Sequence, residues 1–141
     1  MSPVRGVSLA LAAVVLGGVA WAAFAPLHFA TREEVFEIPK GTWARRMAGD
    51  KAEILPPRID LTLGVHDVLL LRNRDDVPQT FGPTLMMPGQ SFRLPFEVAS
   101  TYSFACTAHA SGQMRIVVAE RPVSAWGRLR WRASRAWNQL T

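Results

Sequence analysis

Cysteine is almost absent. Cys106 is the single one in 141 residues, so no intrachain disulfide can form. Charge is also sparse: 19% of residues are charged against 49% hydrophobic, which excludes a globally disordered chain. Acid is missing altogether from residues 121–141, which hold Arg121, Arg128, Arg130, Arg132 and Arg135. The preceding 120 residues carry 11 basic and 11 acidic side chains, so the net charge of +5 belongs to the tail. A nucleic-acid-binding domain would spread that charge over a folded face, and no such partner is expected. The sequence shows no internal repeat, Ser/His/Asp arrangement, paired-carboxylate site or phosphate loop, so no enzyme is expected. The length suits one domain with appendages.

The longest stretch without Asp, Glu, Lys or Arg lies between Arg5 and Arg32, and Val7–Ala25 is its most apolar part. Nineteen helical residues rise about 28 Å, close to the ~30 Å hydrocarbon thickness of a bilayer. Trp21, Phe24 and His28 fall towards one end, where amphipathic rings favour the interface, and Pro26 ends the helix. The competing reading is a cleaved leader, because Ala20-Trp21-Ala22 offers an A-x-A site. The apolar run continues past that site, and Ala23-Phe24-Ala25 is followed by proline, which favours an uncleaved transmembrane anchor. Either reading sends residues 30–141 across the membrane. Arg5 places the start in the cytoplasm.

From Thr31 to Glu120 the pattern changes to short β segments with turn punctuation. Ile59, Leu61 and Leu63 alternate; so do Phe92, Leu94 and Phe96, then Tyr102, Phe104 and Cys106, and finally Met114, Ile116 and Val118. Val68–Leu71 reads as a strand buried on both faces, and Met87-Pro88-Gly89-Gln90 as a turn. Ala44–Met47 suits a helical turn, Pro56-Pro57 a loop. Period-two patterning puts each trio on one face, and strands this short suggest a β-sandwich. Cys106 ends one inward trio and Met114 begins the next, with His109 in the link. The spacing C-x2-H-x4-M therefore brings a thiol, an imidazole and a thioether to one end of the sandwich. That donor set suits copper, whose electron-transfer form is a trigonal His2Cys site with a weak axial Met.

Residues 34–120 resemble the cupredoxins, the plastocyanin-like blue-copper family. The resemblance rests on Pro57–Gly64, on Val68-Leu-Leu-Leu-Arg-Asn-Arg-Asp-Asp-Val-Pro-Gln79-Thr-Phe81, on Met87–Gln90, and on Tyr102-Ser-Phe-Ala-Cys106 through Met114. It implies an all-β, Greek-key sandwich with Cys106, His109 and Met114 as copper ligands. It also implies a histidine, the first equatorial ligand, where this chain has Gln79. An amide oxygen is a hard neutral donor and a poor substitute for imidazole. The expectation is thus a degenerate site without functional copper, Gln79 bonding His109 across it, and no other cofactor. Without metal, Cys106 is a buried thiol, His109 a rim histidine bonded to loop backbone, and Met86 and Met87 pack beside the site. Asp75-Asp76 and Glu33-Glu34 read as solvated turn charges. Two further readings stand open: a tethered copper carrier using Cys106, His109 and Met114, and a Met-rich cuprous chaperone using Met86 and Met87.

In the tail, Ser124 can cap a helix on which Trp126, Leu129, Ala133, Trp137 and Leu140 share a face, with Trp131 widening it. Arg128, Arg132 and Arg135 lie largely elsewhere. Trp with Arg on an amphipathic helix marks a membrane interface or docking surface, which here comprises Trp21, Trp126, Leu129, Trp131, Trp137, Arg128 and Arg132. The expected layout is an N-terminal transmembrane anchor (1–30), a cupredoxin-like domain (31–120) and a basic interfacial helix (121–141). The expected role is an accessory subunit of a larger membrane electron-transfer complex, photosynthetic (reaction-centre/light-harvesting) or respiratory. It would sit in a bacterial inner membrane, N-terminus cytoplasmic and β domain periplasmic.

Overall fold

The structure is a computed structural model describing residues 3–27 and 31–140, with side chains from residue 6 onward. The side chain of Arg5 and all of His28, each used above, lie outside the described residues. The chain divides into two compact units, a β domain (Phe29–Arg121) and a helical unit joining Met1–His28 with Pro122–Thr141.

Two three-stranded sheets make the β domain. In one, β3 (Val68–Asn73) lies between β1 (Glu33–Ile38), parallel to it, and β6 (Ser91–Pro95), antiparallel to it. In the other, β8 (Gln113–Ala119) lies between β2 (Arg58–Thr62), parallel, and β7 (Ser100–Ala105), antiparallel. A short hairpin, β4 (Gln79–Phe81) with β5 (Thr84–Met86), joins the second sheet's end through a bridge from Phe81 to Cys106. The alternating trios point inward: Ile59, Leu61, Met114, Ile116 and Val118 from one sheet meet Ile38, Leu69 and Leu71 from the other. Each such side chain contributes about 1.5–3 kcal/mol on burial. Phe81 centres an aromatic layer, with ring centroids 4.9 Å from Phe104 and 5.9 Å from Phe92. The domain is an all-β sandwich of two sheets, as its strand patterning predicts.

Two expectations need correction. Glu33 and Glu34 are strand residues of β1 rather than turn charges: Glu33 accepts from Arg93 at 2.8 Å, and Glu34 lies 3.4 Å from His66. Exposed pairs of this kind are worth about 0–1 kcal/mol. Ladder bonds to β3 and the buried Ile38 therefore hold β1, and its acidic outer face hid it from a hydrophobic reading. Asp75 is not solvated either, as described below. The helical turn expected at Ala44–Met47 is present as α2 (Thr42–Met47).

In the helical unit, α1 spans Pro3–Phe24. Its segment Gly6–Phe24 has a mean hydropathy of 2.2 and no buried residue, and it is long and apolar enough to cross a membrane. Helix α3 (Ala125–Leu140) starts at Ser124, whose Oγ accepts the Gly127 N–H at 2.9 Å. Trp126, Trp137 and Leu140 are exposed, whereas Leu129 and Trp131 are half-buried.

Gly82 turns the β4–β5 hairpin at φ +53°, and a Cβ there would sit 3.0 Å from the Phe104 ring. Gly82→Ala should destabilise the β domain by about 1–3 kcal/mol through backbone strain. Urea denaturation of the detergent-solubilised chain, followed by far-ultraviolet circular dichroism, will read the loss.

Candidate metal centre

The site begins with Asn73, the buried last residue of β3. Its Nδ2 donates to the carbonyls of Val77 and Met86, both at 2.9 Å, and its Oδ1 accepts the Asp75 N–H at 3.0 Å. This side chain stands in for a backbone turn and aims the Asp75 carboxylate inward. Asp75 is buried and meets no cation among the described contacts. Four donors converge on it: the N–H groups of Gly41 (2.8 Å), Asp76 (2.9 Å) and Trp43 (2.8 Å), and the Gln79 Nε2 amide (2.9 Å). Burial alone would raise its pKa; the donors from Trp43, Asp76, Gly41 and Gln79 outweigh that and hold it below its ordinary value.

Gln79 opens β4 and is 1% exposed. Its amide nitrogen faces Asp75, which can only accept, and its Oε1 accepts the Thr107 hydroxyl at 2.6 Å. Thr107 Oγ1 in turn accepts the Thr80 N–H at 2.9 Å, and the Thr107 N–H donates to Thr80 O at 3.1 Å. The expected bond from Gln79 to His109 is therefore not made. Both ends of the amide are engaged elsewhere, because the buried carboxylate beside it is the stronger acceptor.

Residues 106–112 form the link between β7 and β8. The Cys106 N–H donates to Gly112 O (2.9 Å), and the His109 and Gly112 N–H groups donate to the Cys106 and His109 carbonyls (3.3 and 3.1 Å). Gly112 closes this loop at φ +73°. Cys106, His109 and Met114 are each buried, at 2%, 3% and 0% exposed; the first two lie in this loop and Met114 lies on β8, paired with Phe104 of β7. His109 is not on the rim, because residues 40–57 roof the loop. Pro56 O lies 3.0 Å from His109 Nε2, and Arg46 Nη2 donates to Ala108 O at 2.8 Å. A carbonyl can only accept, so Nε2 carries the proton, and Nδ1 presents a buried lone pair with no hydrogen-bond partner. Burial pushes the Cys106 thiol up, against two N–H groups from Ala108 and His109, so it stays protonated near neutrality. Met86 is buried, as expected, whereas Met87 is exposed.

This donor set fits copper incompletely. One thiol, one imidazole and one thioether suit a soft ion, but the fourth position is an amide already bonded at both ends. Among the described residues no three His, Cys, Asp or Glu side chains group as a metal site.

The expected interface residues lie in the helical unit. Arg128 and Arg132 turn towards the end of α1: Nε of Arg128 donates to Ala23 O at 2.9 Å, and Arg132 donates to Ala22 O at 2.7 Å and Ala25 O at 2.9 Å. The Arg132 guanidinium also sits 5.2 Å from the Trp21 ring centroid. Helical spacing places these arginines on one side of α3 but gives no sign of what they meet. Asp75, Thr107 and Arg46 were missed as site residues. The Asn-x-Asp spacing of an Asx turn was the available signal for Asp75.

No family model matches the chain, and no curated protein matches it. Solved structures similar to it include a purple cupredoxin from Nitrosopumilus maritimus (18% identity, 60% of this chain and 98% of that one, TM-score 0.46). A methionine-to-alanine mutant of amicyanin in its Cu(I) form is similar at 22% identity (69% and 89%, TM-score 0.44). The oxidized state of a proline-to-alanine amicyanin mutant gives 23% over the same shares, TM-score 0.44.

Asp75→Asn should destabilise the chain by about 2 kcal/mol at neutral pH, the scale of hydrogen bonds to a buried charge. The folded carboxylate titrates below its unfolded value of 3.8, so its contribution is complete at neutral pH and fades as pH falls below about 4. Urea midpoints measured from pH 7 to pH 2.5 should therefore converge for the wild type and Asp75→Asn at the acid end.

Proposed function

We propose that this chain is a non-enzymatic accessory subunit of a membrane electron-transfer complex, with a cupredoxin-like domain whose ligand pocket serves as structure. The observation that carries this reading is the engagement of Gln79 at both ends, by Asp75 and Thr107. A ligand position spent on internal hydrogen bonds holds the loops in register without an ion. The roof over His109 supports the same reading, since an electron carrier needs a redox-centre edge near its surface and all four pocket positions are buried. Trp43 and Met47 on α2, Leu85 on β5 and the neighbouring Met87 stay exposed on the elements around the pocket. They offer apolar surface to a partner subunit. The apolar α1 would anchor the chain in a bacterial inner membrane, N-terminus in the cytoplasm and β domain in the periplasm, beside a photosynthetic or respiratory complex.

A second reading is favoured by one specific feature, the unpartnered Nδ1 of His109. A metal-binding imidazole commonly donates its other N–H to a backbone carbonyl, as His109 does to Pro56. Cys106, His109 and Met114 would then hold copper, which when bound would supply one-electron chemistry. These residues would provide a thiolate, an imidazole nitrogen and a thioether. Cys106 must lose its proton to do so, so affinity would rise with pH.

Isolation of the complex in mild detergent should retain this chain in fixed stoichiometry and without equimolar copper by elemental analysis. Release as a free monomer would contradict the subunit reading, and stoichiometric copper would favour the carrier. Gln79→His restores an imidazole and should create or strengthen Cu(II) binding, seen as a visible thiolate-to-copper band absent from Gln79→His/Cys106→Ala.

A further inference from the structure

Every helix leaves its last four carbonyls without intrahelical donors, and the negative end of its dipole gathers there. At the end of α1 the Ala25 N–H returns to Trp21 O at 2.8 Å, and Pro26 has no N–H to offer. The carbonyls of Ala22, Ala23 and Ala25 are met from about a hundred residues downstream. Arg128 binds Ala23 O, while Arg132 reaches Ala22 O and Ala25 O, with longer contacts to Pro26 O (3.2 Å) and Trp21 O (3.4 Å). The two arginines are four residues apart, so one face of α3 presents both, and each planar fork spans several carbonyls. Such partners matter most at the edge of a hydrocarbon layer, where water is scarce and an unmet carbonyl is costly.

We infer that Arg128 and Arg132 cap α1 in trans, and that α1 is therefore kept in the mature protein, as one anchor with α3, rather than removed as a leader. The inference deepens the membrane reading proposed above and rests on it. Cleavage at the Ala20-Trp21-Ala22 site would remove the carbonyls of Trp21 and Ala22 and leave Ala23–Pro26 without the preceding turns that make them a helix end. The two guanidiniums would then lose a pre-organised acceptor set that no short exposed peptide reproduces. Arg128 and Arg132 are thus positioning residues: they fix α3 to the point where α1 ends.

The test uses the full chain from a membrane fraction. Intact mass should include residues 7–25; a mature N-terminus at Ala23 or Pro26 would overturn the inference. In phosphatidylcholine nanodiscs, chymotrypsin should cut within α3 at least severalfold faster in Arg128→Gln/Arg132→Gln than in the wild type. Arg130→Gln, at an exposed position of the same helix, should digest like the wild type, and Arg128→Lys/Arg132→Lys should restore part of the protection. Equal digestion of the double glutamine variant and Arg130→Gln would refute the cap. An alkaline carbonate wash separates the two readings. Release of a chain that still carries residues 7–25 would defeat the membrane anchor while supporting retention. Release of a shortened chain would defeat retention itself.

Discussion

One buried carboxylate organises the Gln79 end of the β domain. Asp75 has no countercharge among its described contacts; its negative charge is held by three backbone N–H groups and one amide. A buried ion without partners costs several kcal/mol, so all four donors must stay in place together. That requirement ties α2, through Trp43 and the preceding Gly41, to the loop after β3 and to Gln79. Through Gln79 it reaches Thr107, the first residue after Cys106, and so the whole 106–112 loop. Position 79 is thereby defined by its neighbours: a side chain there must offer a donor towards Asp75 and an acceptor towards Thr107, and glutamine does both.

The pocket is consequently polar on one wall and soft on the other. Gln79, Asp75 and Thr107 form a satisfied network, whereas Cys106 and Met114 belong to the hydrophobic core and His109 keeps one lone pair inside it. The first wall makes the arrangement stable as it stands. The second retains the residues that would be needed for a soft ion. Contacts from Arg46 to Ala108 O and from Pro56 O to His109 cover the loop between them, and burial raises the proton affinity of the thiol.

Period-two alternation located β2, β6, β7 and β8, because one face of each packs on the core, and the continuous apolar run Val68–Leu71 located β3. It failed for β1, where Glu33, Glu34 and Glu37 mask a strand that buries Ile38 at its end. The C-x2-H-x4-M spacing singled out Cys106, His109 and Met114 as candidates, and the glutamine among the expected ligands was visible by position. What position could not convey was how Gln79 is used. The pair Asp75-Asp76 has the composition of a solvated turn, and only the distant N–H groups of Gly41 and Trp43 explain why one of the two is buried. His109 was misplaced for the same reason: its burial is imposed by Pro56, 53 residues away along the chain. Local pattern reports which face a residue occupies, and long-range contacts decide what that face meets.

The two parallel pairings set an order of assembly. β1 must wait for β3, and β2 finds its neighbour β8 only at a sequence separation of 57, with Arg58 aligned to Arg115. β8 is the last strand of the domain, so the second sheet has no centre until nearly the whole domain has been synthesised. Loop closure over such separations slows folding. Until then Ile59 and Leu61 sit on an open edge that invites wrong partners, and folding of this domain is in effect a single late event governed by the arrival of its final strand.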